Sequence, residues 1–207
     1  MLRAYEVHAY VGKRGSGKST RAKEKLGECL KAGQRVIAFD PHREYAQDGE
    51  PSDEVVLGPL PSSRELWQLM ADDAELMEGD TSFAVVLESQ RPKDVAKAFT
   101  WLAWKAYEAG DLVLAADELV LFWESHEAQE AMNFIATQGR HKKVPLVLSA
   151  QRMTHIPYTT RSQATLVDTG KQDDPDDVKA IGKRCGEDFA VKVPKLKRGE
   201  RLVWVDE

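Results

Sequence analysis

Residues 12–19, Gly12-Lys13-Arg14-Gly15-Ser16-Gly17-Lys18-Ser19, satisfy the pattern G-x-x-x-x-G-K-[S/T] at every fixed position. These residue types suit a chain of phosphates. Glycines let successive backbone N–H groups turn inward toward phosphate oxygens. A helix that follows at once presents its positive dipole end to the same anion. Lys18 is then placed for the β- and γ-phosphates of ATP, and the Ser19 hydroxyl for Mg²⁺. With Thr20, the stretch from Gly12 to Ser19 forms the candidate nucleotide-binding set; the alternative is a glycine-rich turn that binds nothing.

Phosphoryl transfer also needs a carboxylate on the cation at the end of a neighbouring strand. Residues 112–118, LVLAADE, supply one: Asp117 would hold magnesium through water, and Glu118 is placed to polarise an attacking water. An adjacent Asp-Glu pair favours hydrolysis over transfer to a second small molecule. Residues 144–152, VPLVLSAQR, end a further apolar run in Gln151, which can hydrogen-bond the γ-phosphate or the lytic water. Ser89-Gln90-Arg91 offers a similar pattern before the Asp-Glu run, and Gln151 is preferred.

These side chains need strands to carry them to one edge and helices to cover the strands. Tyr5–Val11, Arg35–Phe39, Phe83–Leu87, Leu112–Ala116 and Val144–Ser149 read as strands, with shorter ones at Thr165–Val167 and Arg201–Val205. Ser19–Ala32 (closed by Gly33), residues 92–109, Glu124–Gly139 and Asp173–Lys183 read as helices. Residues 46–63 read as loop, and Ser62-Ser63 opens a helix containing Leu66, Trp67, Leu69 and Met70. Continuous apolar strands alternating with helices predict an α/β fold with a mostly parallel central sheet covered on both faces.

Composition sets the outer bounds. The 207 residues fit one domain, 1–207, and 42% hydrophobic residues exclude a disordered chain. No apolar run approaches the ~18 residues of a membrane span, and the amino terminus has no secretory h-region. Cys29 and Cys185 are too few for a disulfide scaffold and read as reduced thiols. A net charge of −5 excludes a surface uniformly coated in basic residues. The five histidines show no ligand spacing, and Trp101 and Trp104, at helical spacing, read as core or subunit contact.

The ordered motifs GKRGSGKS, VIAFDPHREY, LVLAADE, GRHKKVPLVLSAQR and IPYTTRSQATLVDTG together resemble the FtsK/HerA superfamily of P-loop motor ATPases. Asp40-Pro41-His42-Arg43-Glu44-Tyr45, Gly139-Arg140, Gln151-Arg152 and Arg161-Ser162-Gln163 stand where that family has similar residues. Lys13 is a departure that resembles the deviant loops of ParA/MinD-type ATPases, whose following glycine is Arg14 here. The resemblance implies a RecA/HerA-like fold, ATP and Mg²⁺ as cofactors, and a hexameric ring that pumps double-stranded DNA through its pore. The short chain is most similar to genome-packaging ATPases of tailless, membrane-containing double-stranded DNA viruses. A capsid or membrane vertex protein is then an expected partner, and the virion or host cytoplasm the expected place. In such rings an arginine from the neighbouring subunit completes the site; Arg140, Arg161 and Arg152 are candidates, with a surface arginine the alternative for each.

A DNA pump must grip phosphates without reading sequence. Two basic clusters could do so: Arg140, Lys142 and Lys143, and Lys192, Lys195, Lys197, Arg198 and Arg201. Either could equally be a solvated face. The acidic run Asp173–Asp177 reads as a helix cap and solvated surface. A filamentous-phage assembly ATPase of the zonular-occludens-toxin type, a small P-loop kinase and a non-hydrolysing nucleotide-gated scaffold are the alternative functions.

Overall fold

The computed structural model describes residues 1–42, 45, 58–59, 82–85, 87 and 91–206. Among them, eight runs pair into one sheet: β1 (Val7–Val11), β2 (Arg35–Phe39), β3 (Gly58–Pro59), β4 (Phe83–Val85), β5 (Leu112–Ala116), β6 (Leu146–Ala150), β7 (Leu166–Thr169) and β8 (Leu202–Val205). Their order is β3-β4-β2-β5-β6-β1-β7-β8. The pairings are parallel, except that β8 runs antiparallel to β7. The α-helices among the described residues are α1 (Lys18–Lys31), α2 (Pro92–Ala109), α3 (His126–Gln138), α4 (Tyr158–Ser162), α5 (Pro175–Cys185) and α6 (Glu187–Ala190).

The apolar runs are continuous because both faces of the sheet are covered. Side chains alternate along each strand. Ala9, Val11, Ile37, Leu114 and Leu148 point to one face, against Phe99 and Leu102 of α2, Ile135 of α3 and Ile181 of α5. Tyr10, Val36, Ala38, Val113 and Val147 point to the other, against Ala22, Leu26 and Cys29 of α1. Phe39, Phe99 and Phe122 form a three-ring contact with centroids 4.5–5.5 Å apart, which ties β2 and α2 to the segment after β5.

Parallel pairing brings the carboxyl ends of β1, β2, β5, β6 and β7 to one edge. Gly12, Asp40, Asp117, Gln151 and Gly170 follow those ends directly. Because β8 is antiparallel, the residue that opens it, Arg201, joins the same edge; Leu202 pairs with Thr169. In open α/β sheets this carboxyl edge is where ligands bind.

Most expected elements are present, three with the expected bounds and the others with ends shifted by one or two residues. The loop expected over 46–63 contains a two-residue strand, β3, which pairs with β4. Pro59 is compatible with a strand there because, among the described residues, β3 is the sheet edge, where no further neighbour needs its missing N–H. The sequence did not signal α4 and α6, five and four residues long. The helix expected from Ser62, and Arg43, Glu44, Ser89 and Gln90, lie outside the described residues. Cys29 and Cys185 are buried, free thiols.

Candidate active site

The loop from Gly12 to Ser19 is held by its neighbours at the carboxyl edge. The Gly12 N–H donates to the Ala150 carbonyl at 3.1 Å, and the Gly170 N–H donates to the Val11 carbonyl at 2.8 Å. A Cβ on Gly12 would meet Ser16 Oγ at 2.3 Å, so Ser16 packs where any larger residue would collide. Gly17 has φ +81° and precedes α1 directly.

The amino end of α1 carries neither a capping side chain nor an acidic residue in its first turn. By contrast, Ser125 caps α3 by accepting from the Ala128 N–H, and Asp174 caps α5 by accepting from the Asp176 N–H. The first amides of α1 thus meet no competing side-chain acceptor at their own helix end, which suits an anion supplied from outside.

Lys18, in the first turn of α1, is buried, and its Nζ donates to Glu118 Oε1 at 3.0 Å. Gln151 Nε2 donates to Glu118 Oε2 at 3.0 Å. Glu118 therefore joins the ends of β5, β6 and α1 through one carboxylate. Its backbone is left-handed, with φ +48° and ψ +55°. That conformation costs a non-glycine residue about 1–2 kcal/mol and concentrates at functional sites.

Asp117 is fully buried, and neither carboxylate oxygen has a hydrogen-bond partner; Ser149 Oγ, beside it, is also unpartnered. Burial pushes the Asp117 carboxyl up to about 6, opposed by the nearby Ser149 hydroxyl and Lys18 and reinforced by Glu118 and Asp40. Orphaned buried oxygens of this kind want a cation or its water shell. The donor set, the Asp117 carboxylate near Lys18 with the Ser19 hydroxyl next along α1, is of the hard oxygen type that Mg²⁺ takes.

The arginines expected to act between subunits lie elsewhere. Arg140 is exposed and precedes β6; Arg161 is half-buried in α4, which leads into β7. Both are at the amino ends of their strands, about 15 Å of strand away from the carboxyl edge. Arg161 Nη1 donates to the Ile156 carbonyl at 3.0 Å. Arg152 is committed within its own chain: it pairs with Asp174 and with the buried Asp177, each at 2.8 Å.

The two basic clusters occupy opposite edges. Lys142 and Lys143 are exposed at the amino edge, with Lys143 3.6 Å from Asp111. Lys195, Lys197 and Arg198 are exposed in the segment leading to β8, at the carboxyl edge, and Arg198 Nη2 approaches the outer side of Gly15. Arg201 separates from its cluster altogether, with a guanidinium turned under the Gly12–Ser19 loop.

The acidic run divides similarly. Asp173 pairs with Lys13 at the surface and Asp174 caps α5, but Asp177 is not solvated: it takes Arg152 and both the N–H and hydroxyl of Thr154. Sequence reasoning gave no role to Asp168 or Gln172. Asp168 is a buried carboxylate held by Arg21 and Arg201, and Gln172 donates to the Gln151 carbonyl at 2.9 Å. An aspartate inside the apolar run LVDT was the available signal for Asp168. Of the histidines, His8 is buried on β1, where desolvation lowers its imidazole to about 4, and His155 stacks on Trp123. Trp101 and Trp104 pack partly buried against the core.

A protein-family model described as type IV secretion-system coupling protein DNA-binding domain matches residues 3–108. No curated protein matches the sequence. Among solved structures, the chain is similar to the genome packaging NTPase B204 from Sulfolobus turreted icosahedral virus 2 in complex with AMPPCP, with 20% identity over 98% of this chain and 93% of that one, and a TM-score of 0.67. It is also similar to VirB4 of Thermoanaerobacter pseudethanolicus, at 16% identity over 97% and 89% of the two chains, TM-score 0.63. The pCW3 conjugation coupling protein TcpA follows at 14% identity, covering 98% of this chain and 58% of that one, TM-score 0.60. Identities this low establish a shared α/β fold.

Proposed function

Because the chain belongs to the type IV secretion-system coupling protein DNA-binding domain family, and so to the P-loop ATPases of the FtsK/HerA type, we propose that it is an ATP-hydrolysing translocase of double-stranded DNA, and within that class a viral genome-packaging motor. The observation that carries the reading is the Lys18–Glu118–Gln151 chain beside the unpartnered Asp117 carboxylate. A lysine, a candidate base and a polar sensor meet there at the open end of an uncapped helix.

In this reading the α1 amides and Lys18 bind the phosphates of ATP. Ser19 and Asp117 would hold Mg²⁺, which when bound supplies charge neutralisation on the phosphates. Lys18 has to be shared between Glu118 and the phosphates, so nucleotide loosens Glu118 and leaves it to orient a water. Gln151 detects that change directly. Its neighbours carry the signal outward, since Gln172 holds the Gln151 carbonyl and Arg152 is anchored on Asp177 of α5.

Arg140 and Arg161 sit too far from their own Lys18 to complete the site in the same subunit. They could serve a neighbour's nucleotide in a ring, for which six subunits is the family-like number. Lys142, Lys143, Lys195, Lys197 and Arg198 are the candidates for gripping the DNA backbone, and an acidic exterior is compatible with a basic inner surface. A capsid or membrane vertex protein would anchor the ring, in the virion or the host cytoplasm, with residues 1–207 acting as one motor domain. No helix among the described residues is long and apolar enough to cross a membrane.

The test is ATP hydrolysis with and without duplex DNA at two salt concentrations, beside a mass measurement of the assembly. The expected result is stimulation that falls as salt rises. Hydrolysis indifferent to DNA in every assembly state would overturn the translocase reading.

A further inference from the structure

Arg201 opens β8, yet most of its hydrogen bonds serve the end of β7 and the Gly12–Ser19 loop. Nη1 donates to the Ser16 carbonyl at 2.8 Å and reaches Ser16 Oγ at 3.5 Å. Nη2 donates to the Asp168 carbonyl at 2.8 Å and approaches the Val11 carbonyl at 3.4 Å. Nε donates to the Asp168 carboxylate at 2.5 Å, and the other oxygen of that carboxylate accepts from Arg21 of α1 at 3.3 Å. Both Asp168 and the Arg201 side chain are largely buried, at 2% and 11% exposure. A planar fork of five N–H donors can serve several carbonyls and a carboxylate at once; an ammonium cannot.

The Ser16 carbonyl is the informative partner. In a trans peptide the carbonyl of one residue and the N–H of the next point in opposite directions. Pinning the Ser16 carbonyl to Arg201 therefore turns the Gly17 N–H away from Arg201. Gly17 adjoins Lys18 and has no side chain to restrain its own peptide. We infer that Arg201 is a positioning residue of the nucleotide site. It fixes the peptide between Ser16 and Gly17 and, through Asp168, locks the loop to β7 and to α1. This rests on nucleotide binding at the loop as proposed above. It makes the strand at the end of the described chain part of the site, so docking of β8 and loading of nucleotide support each other.

The competing explanation is a brace that merely holds β8. Arg184 provides the comparison. It anchors the other end of β8, pairing with Asp206, donating to the Ala164 carbonyl at 2.7 Å and lying 4.4 Å over the Trp204 ring, and it makes no contact with the loop. The experiment titrates a fluorescent ATP analogue into the wild-type chain and the Lys18→Ala, Arg201→Lys and Arg184→Lys variants, well below each melting temperature. Arg201→Lys should weaken binding about tenfold, the worth of a lost charge-assisted hydrogen bond. Arg184→Lys should stay within about twofold even where its melting temperature falls as far. Wild-type affinity in a folded Arg201→Lys protein overturns the inference, as does equal weakening by both arginine variants. If Arg201→Lys does not fold, Asp168→Asn decides: weakened binding supports the inference and unchanged binding overturns it. Absence of binding by the wild type removes the proposed function and this inference together, whereas wild-type binding lost in Lys18→Ala and kept in Arg201→Lys removes only the inference.

Discussion

Asp117→Asn should stabilise the protein near neutral pH in the absence of nucleotide and metal. Burial raises the folded-state Asp117 carboxyl from its ordinary 3.8 to about 6. A carboxyl raised on folding destabilises in its ionised form. The penalty is absent below the unfolded value, grows as pH rises between the two values, and is constant above about 6. Roughly two units of difference correspond to about 3 kcal/mol at pH 7.5. Asparagine is isosteric and uncharged, so it removes this penalty while leaving one buried polar group without a partner, as the protonated aspartic acid also does. At about 2–4 °C per kcal/mol for a chain of this size, the variant should melt about 6–12 °C higher at pH 7.5. Near pH 4 the gap should nearly close, because the folded Asp117 carboxyl is then neutral and the penalty has only begun to grow. The assay is thermal unfolding across that pH range in the presence of a chelator. Added Mg²⁺ and a non-hydrolysable ATP analogue should narrow the gap at pH 7.5, since only the wild type offers them the carboxylate. A variant less stable at pH 7.5, or one stabilised equally at pH 4, would show that Asp117 is not a strained, metal-seeking carboxylate.

Three further outcomes are expected. Glu118→Gln should bind ATP with near wild-type affinity while its turnover falls at least about a hundredfold, the usual worth of a positioned base; normal turnover in a steady-state assay would take Glu118 out of that role. Arg152→Ala should lower stability by about 1–3 kcal/mol in urea unfolding, because it strips a cationic partner from the buried Asp177; a neutral result would mean that Thr154 alone satisfies Asp177. Lys142→Ala with Lys143→Ala, and separately Lys195→Ala with Lys197→Ala, should each be tested for the salt dependence of duplex binding. The pair facing DNA should lower the slope by about two, and the other should leave it unchanged.

The parts of the site written in contiguous residues were legible. The glycine and lysine spacing of residues 12–19 dictates a turn followed by a helix, and LVLAADE and VPLVLSAQR announce buried strands that end in polar groups. Parallel pairing then does the rest, since it brings such ends to one edge whatever the strand order. What was not legible depends on partners far apart in the chain. Arg201 and Ser16 are separated by 185 residues, and a basic cluster in sequence does not say which of its members will turn inward to backbone carbonyls. Asp177 looked like one more solvated acid because nothing local marks the arrival of Arg152. The left-handed backbone of Glu118 was equally hidden, as no glycine or asparagine marks it.

The central claim, movement along duplex DNA driven by ATP, is tested most directly by displacement of a labelled third strand from a DNA triplex. The wild-type protein should release the third strand when ATP and Mg²⁺ are both supplied and not with a non-hydrolysable analogue, and Glu118→Gln should release none. Hydrolysis of ATP stimulated by the same DNA, with the third strand left in place, would contradict the account and leave a DNA-stimulated ATPase that does not translocate.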